Sequence, residues 1–283
     1  MSAFFLAAFL FGAMAVCVRA AVQEMPVGAV SFVRFFGSLL VLVAATRARG
    51  LWPRTGSVGR LMQRSLLGAA AIVCYFAAIE QAGAGLATLL HSTYPVWTAL
   101  FAVTLMDEVF TWRIAMALAL NLLGAALAIS GEMTLREGIL AGGLLGLVGG
   151  MLAGGAVATA SALRRTESAS LITVWFMAVG AAVTAPALLA DMPPMTLRLA
   201  LALLGVVLTS TGGQWLLHHG LGTVSATVGS LAAATSIVTA AVLEGVVLGE
   251  NVGPQVLLGG VLMLTAVGLA ARPRPVIPPP VAS

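Results

Sequence analysis

Hydrophobic residues recur along this chain in long, nearly unbroken runs rather than in the alternation of a half-buried strand or the one-sided stripe of a surface helix. Broken at charges, prolines and glycine clusters, the runs fall at 3–22, 27–46, 65–81, 84–106, 112–130, 138–160, 169–190, 198–217, 223–248 and 253–271. A helix crossing a hydrocarbon core needs roughly 20 residues, so ten crossings take up roughly 200 of the chain. The expected fold is an all-α integral membrane protein of ten transmembrane helices. The breaks are Gln23 to Pro26, the arginine-rich stretch from Arg47 to Arg64, Gln81-Ala82-Gly83, Met106-Asp107-Glu108, Gly131-Glu132, Arg164 to Glu167, Asp191 to Pro194, His218-His219-Gly220 and Gly249-Glu250-Asn251. Beyond Arg272 the proline-rich segment to residue 283 cannot continue a helix and reads as a disordered cytoplasmic tail.

Composition closes off the soluble alternative. Charged residues make up 8% of the 283 positions and mean hydropathy is +1.06, against roughly 25% charged for a soluble protein. The formal charge of +4 would suggest a polyanionic partner only if the basic residues formed a patch. All 14 are arginines, and most fall in short connections, so they report topology and exclude nucleic acid as a partner. With an inside N-terminus, inside segments carry Arg47, Arg49, Arg54, Arg60, Arg64, Arg113, Arg164, Arg165, Arg272 and Arg274, while only Arg136 and Arg198 fall outside. Both termini are therefore expected on the cytoplasmic side of the membrane. Cys17 and Cys74 sit inside apolar runs, so neither a disulfide framework nor a metal spacing is available. The first run has no basic residues before it and reads as a retained helix.

Sliding the chain against itself by 142 residues aligns Ala84 with Ala226, Leu89 with Leu231, Thr93 with Thr235, Val96 with Val238, Ala99 with Ala241 and Glu108 with Glu250. The boundaries of the runs shift by the same offset. Two halves of five spans each, 1–135 and 136–272, follow. Because five is odd, the second half enters the membrane inverted, an architecture shared by many carriers.

Several motifs then converge on one family. They are Val33-Arg34-Phe35-Phe36, Tyr75-Phe76-Ala77-Ala78-Ile79-Glu80, and Thr93-Tyr94-Pro95-Val96-Trp97-Thr98-Ala99-Leu100 with its acidic end Asp107-Glu108. Asn121-Leu122-Leu123-Gly124 follows, and Leu248-Gly249-Glu250 with Gly259-Gly260-Val261-Leu262 echo the pattern in the second half. The chain resembles, over about 3–271, the ten-helix EamA-type branch of the drug/metabolite transporter superfamily. One departure is Met106-Asp107-Glu108, where that family usually has a glycine before the glutamate. The resemblance implies a secondary transporter working by alternating access, and exporting amino acids or related metabolites. An importer of a vitamin or nucleoside-like metabolite is the alternative within transporters, and a membrane-embedded lipid-modifying enzyme the alternative from another class. No phosphate loop, HExxH or nucleophile elbow supports an enzyme, and no cofactor is called for.

Polar residues inside apolar runs are the candidate site, because each one there requires an explanation. Thr211, Gln214 and His218 lie at helical spacing on one face of the eighth span. His91, Tyr94 and Thr98 do the same in the fourth, around Pro95. The expected substrate-binding residues are Gln214, His91, Tyr94, Tyr75, Arg34, Trp175, Thr211 and His218. His91 and Glu244 are the candidates for carrying a proton, if a proton or substrate counter-flow drives transport. Packing offers a second reading for each: His91 and Gln214 as bridges between helices, Arg34 paired structurally, His218 at the headgroup level, Glu244 and Glu80 at helix ends, Arg19 at the interface. Recognition is expected to rest on hydroxyl, amide, imidazole and aromatic groups more than on ion pairs. Gly142-Gly143 with Gly146, and Gly149-Gly150 with Gly154, give the sixth span small faces for close packing, compatible with a monomer or a homodimer.

Overall fold

A computed structural model describes residues 2–48, 57–82, 84–106, 108–130, 139–189, 193–248 and 253–271. The side chains of Glu80 and Glu244 lie outside the described residues, as do Arg49, Arg54, Asp107, Arg136, Asp191, Glu250, the 135/136 boundary between halves and the tail at 273–283. Among the described residues every regular element is helical. In chain order they are α1 (Ser2–Val22), α2 (Val27–Ala48), α3 (Val58–Ala82), α4 (Ala84–His91), α5 (Tyr94–Met106), α6 (Trp112–Ala128), α7 (Ile139–Leu163), α8 (Ala169–Thr184), a 3-10 turn at Ala185–Leu189, α9 (Leu197–Gly220), α10 (Ala226–Ala234), α11 (Ser236–Leu248) and α12 (Pro254–Ala270). Seven helical stretches are long and apolar enough to cross a membrane, and Trp112–Ala128 and Pro254–Ala270 are shorter apolar helices.

Hydroxyl residues set the helix starts. Thr111, Ser168, Thr196 and Ser225 each occupy an N-cap, with a side-chain oxygen accepting from the N–H three residues on, which satisfies a donor otherwise orphaned at the helix end. Pro254 opens α12 behind Gly253, a position where its missing N–H costs nothing.

Burial is inverted relative to a soluble protein. On α9, Leu201, Leu204 and Leu208 are exposed, while Ser210, Thr211, Gln214 and His218 are buried. Lipid covers the apolar face, and the polar face must find partners inside the bundle. α3 packs on α7, α1 on α9, α6 on α12, α2 on α8, and α7 and α1 also receive α5 and α11 respectively. Glycine permits the closest crossings: a Cβ on Gly124 would stand 2.6 Å from the Gly259 carbonyl oxygen, so only bare backbones meet there.

Four runs differ from the hydropathy pattern. The fourth and ninth runs are each interrupted, at Ser92-Thr93 and at Thr235. The seventh ends its α-helix at Thr184, just ahead of the 3-10 turn that contains Pro186. α3 begins at Val58 instead of 65, so Arg64, assigned above to a cytoplasmic connection, belongs to a helix and is only 3% exposed. The small face of α7 is used within the chain: a Cβ on Gly146 or Gly150 would press on α4, and one on Gly154 on α5.

Candidate functional site

Two polar clusters are buried where helices from both halves meet. The first joins α2, α3, α8 and α9. Arg64 donates from Nη2 to His218 Nε2 at 2.9 Å. A guanidinium only donates, so Nε2 accepts and the ring proton sits on Nδ1, which faces Thr173 Oγ1 at 2.7 Å. The Thr173 hydroxyl in turn donates to the Ala169 carbonyl at 2.7 Å. Gln214 Nε2 reaches His218 Nε2 from one turn up the same helix, at 3.2 Å. His218 is fully buried inside the bundle, and His219 beside it is exposed and stacked on Trp215.

Farther along α9, Arg34 donates from Nε to Ser210 Oγ at 2.9 Å. Aromatic rings lie between the two cations. The Arg64 guanidinium lies over the Phe176 ring at 3.9 Å, Phe176 meets Phe35 edge-on, and Arg34 lies 5.3 Å from the Phe35 centroid. An ionised arginine at the membrane centre costs roughly 2.5 to 3.5 kcal/mol. One hydrogen bond from a charged group recovers about 1.5 to 3 kcal/mol of that. The partners found are neutral, so neither cation is compensated by an opposite charge.

The second cluster surrounds the break between α4 and α5. The Tyr75 hydroxyl lies 2.8 Å from Thr88 Oγ1, and the His91 ring lies between those of Tyr75 and Tyr94, with centroids at 4.6 and 6.2 Å. Tyr94 donates across to the Ser230 carbonyl of α10 at 2.9 Å. His91 Nδ1 is buried and has no hydrogen-bond partner among the described residues. Pro95 stands in the first turn of α5, where it starts a helix rather than kinking one. Gly149 lets α7 approach this ring: a Cβ there would sit 3.3 Å from His91 Nδ1.

At one end of the bundle a cleft of about 1160 Å³ is lined by Glu108, Arg113, Ser161, Arg164, Arg165 and Thr223, among others. Glu108 accepts from the Ala226 N–H at 2.8 Å and the Thr227 hydroxyl at 3.0 Å, which closes the N-terminus of α10 with a carboxylate. At the opposite end Glu24 accepts from Thr196 and pairs with Arg198.

Of the residues singled out in the sequence, Arg34, Gln214 and His218 fall in the first cluster, and Tyr75, His91 and Tyr94 in the second. Thr211 lies on the buried face but bonds back to the Val207 carbonyl of its own helix at 2.6 Å. Trp175 packs on the apolar core around Leu171 and Leu217 and joins neither cluster. Arg64, Asn121, and Thr173 and Thr88, which complete the two clusters, were not singled out in the sequence. Arg64 was read as a loop charge, and Asn121 of α6, 1% exposed with both amide atoms unpartnered, was quoted only as part of a motif. A lone amide in an apolar helix was the available signal for Asn121.

An all-helical, multi-pass bundle with polar residues turned inward and a large cleft at one end defines a membrane transporter. The chain belongs to the EamA-like transporter family, which matches residues 1–130 and 140–272. It is 28% identical over 263 residues to the pseudopaline exporter CntI of Pseudomonas aeruginosa strain UCBPP-PA14, covering 92% of each chain, and equally so to that of strain PAO1. A crystal structure of a protein 17% identical superposes with a TM-score of 0.80 over 95% of each chain, a likeness of fold alone. The family is one of transporters, and the chain is a multi-pass membrane protein belonging to it.

Proposed function

We propose that the chain is a secondary carrier exporting a small metabolite, an amino acid or a relative of one, by alternating access of two inverted halves, 1–135 and 136–272. The seven long apolar stretches, the two shorter ones and α3 supply ten spans. One observation carries the duplication: contacts repeat at the register of 142. A Cβ on Gly154 would press on Trp97 and Thr98, and one on Gly12 on Thr239 and Ala240, every position displaced by 142. The helix breaks at Thr93 and Thr235 share that displacement, as do the pairs Arg34 with Ser210 and Phe176 with Gly68. The helix pairing is likewise unchanged by exchanging halves, α3 on α7 answering α9 on α1.

Both termini are cytoplasmic in this reading, because Arg47, Arg60, Arg113, Arg164 and Arg165 gather at helix ends on one side against Arg198 on the other. The export direction follows that of the relatives. Gln214, His218 and Arg34 form one wall of the substrate path, with Thr211 beside them, and Tyr75, His91 and Tyr94 form the other. His91, with its free ring nitrogen, accepts the coupling proton.

The test is efflux from proteoliposomes loaded with a defined mixture of amino acids, carboxylates and their amides, with and without a pH gradient. Release of at least one component above protein-free vesicles is expected; none in either condition removes the carrier reading. In cells, resistance to a toxic amino-acid analogue is the expected phenotype, whereas rescue of an auxotroph would reverse the direction.

A further inference from the structure

We propose that Arg64, seconded by Arg34, is the anchoring cation of an anion site, and that the exported metabolite bears carboxylate groups. The proposal rests on the carrier reading above and names its substrate class. Among the described residues neither guanidinium has a carboxylate partner: Arg34 holds a hydroxyl, and Arg64 an imidazole and a phenyl face. Arg64 Nε and Nη1 are buried with no acceptor at all.

A cation kept only to fasten helices would be expected to carry its counter-charge within the bundle, because desolvating it alone is costly. The His218, Thr173 and Gln214 network could be fastened by a neutral amide in place of Arg64. What the cluster lacks is negative charge, and a transported anion brings it for the part of the cycle when it is bound.

The surroundings are cut to fit a guanidinium. A Cβ on Gly68 would stand 2.8 Å from Arg64 Nη1 and 2.7 Å from the Phe176 ring, and one on Gly180 would stand 2.4 Å from Phe35. Both glycines thus make room for the stacked column of cations and rings. The ligand chemistry follows from the donors. Phosphate sites usually recruit free backbone N–H groups at helix starts, whereas Arg64 and Arg34 both lie within helices whose amides are spent. The fork of one guanidinium suits a carboxylate. Ser210 and His218, the α9 partners of the two arginines, are eight residues apart, about 12 Å of helix rise. That spacing suits an elongated anion or two successive resting points.

The cleft continues the same charge. Arg113, Arg164 and Arg165 line it, its Glu108 is already engaged at α10, and Gly222, against which Arg164 packs, follows His218 by one turn.

Efflux of succinate and glutarate is compared with that of succinamide and glutaramide from the same vesicles. The anions are expected to leave at least about tenfold faster than their amides, since a site built around charged donors rejects analogues that leave them unpaired. Arg64→Gln is expected to lower anion efflux about tenfold or more, Arg64→Lys by less, and Arg34→Gln to raise KM for the anions, while Arg198→Gln at the opposite end leaves rates unchanged. Amides leaving as fast as anions, or a monodisperse Arg64→Gln protein exporting anions at the wild-type rate, overturns the anion site and leaves the carrier reading standing. Should Arg64→Gln not fold, Arg64→Lys and Arg34→Gln decide, wild-type anion efflux in both counting against the site. Vesicles that release nothing of any charge overturn the carrier reading and the site together.

Discussion

The two interrupted helices, α4 with α5 and α10 with α11, are framed alike and filled differently. Each is broken at the same register, at Thr93 and Thr235, and each is met closely by another helix at an equivalent glycine, Gly154 or Gly12. Yet α4 and α5 carry His91, Tyr94 and Trp97, whereas the same stretch of α10 and α11 carries Ala233, Ser236 and Thr239. Backbone approach is shared at the register of 142, while side-chain chemistry differs between the two stretches. In the carrier reading proposed above the glycines serve as scaffold and the aromatic residues as function, and the two can be separated by substitution.

The largest effect is expected where the two sides agree. At Gly154 a Cβ would lie 2.8 Å from the Thr98 backbone nitrogen, and at Gly12 2.8 Å from that of Ala240. Backbone cannot swing aside, so Gly154→Val and Gly12→Val each force a helix outward, at a cost of about 3 kcal/mol or more, the upper range for overpacking. Size-exclusion profiles and thermal melting in detergent should show both variants failing to the same degree. A tolerated Gly12→Val beside a collapsed Gly154→Val would mean that the two crossings are not equivalent.

The next contrast sets the two buried histidines against each other. His218 has both ring nitrogens engaged, and His218→Ala strands Arg64 Nη2 and Gln214 Nε2, while Thr173 keeps its bond to the Ala169 carbonyl. A loss of about 3 kcal/mol is expected, because removing one partner of a buried charged group exposes the whole desolvation cost of the other. His91 has an unpartnered Nδ1 and is held by its neighbours' rings, so His91→Ala should cost only about 1 kcal/mol in melting. Its expected signature lies in transport instead: efflux no longer accelerated by a pH gradient. Equal melting losses, or an unchanged gradient response in His91→Ala, would remove the distinction between a structural and a proton-carrying histidine.

Much of this arrangement was legible in the sequence, for reasons of local geometry. Ser210, Thr211, Gln214 and His218 repeat at helical spacing, and a polar stripe in an apolar helix has nowhere to go but inward. The break in the fourth span was signalled by Pro95, though it falls before the proline; the break in the ninth has no proline and could be found only through the offset from Thr93. Arg64 was not legible. It shares a helix face with Arg60, one turn earlier, and Arg60 is exposed. What separates them is depth, and the partners that hold Arg64 inward, His218 and Phe176, are more than a hundred residues away. Arg64 was left out of the candidate site for the same reason: an arginine at the end of a basic stretch counts toward orientation until a distant ring is found above it.

The smallest effect concerns the hydrogen bond by which the filled side of the seam touches its plain counterpart. Tyr94 donates to the Ser230 carbonyl, joining α5 to α10 across the halves. Tyr94→Phe keeps the ring against His91 and removes only that bond, about 1 kcal/mol by the usual net value. If the contact exists in one access state alone, its loss shifts the balance between states by about fivefold, since 1.4 kcal/mol is a factor of ten. Melting should fall slightly while the exchange rate of a preloaded substrate changes by about that factor, in the direction of the state in which α5 and α10 are apart. A Tyr94→Phe protein that melts lower with its exchange rate untouched would make the bond a strut present throughout the cycle, and would return Tyr94 from the moving seam to the static scaffold that the glycines define.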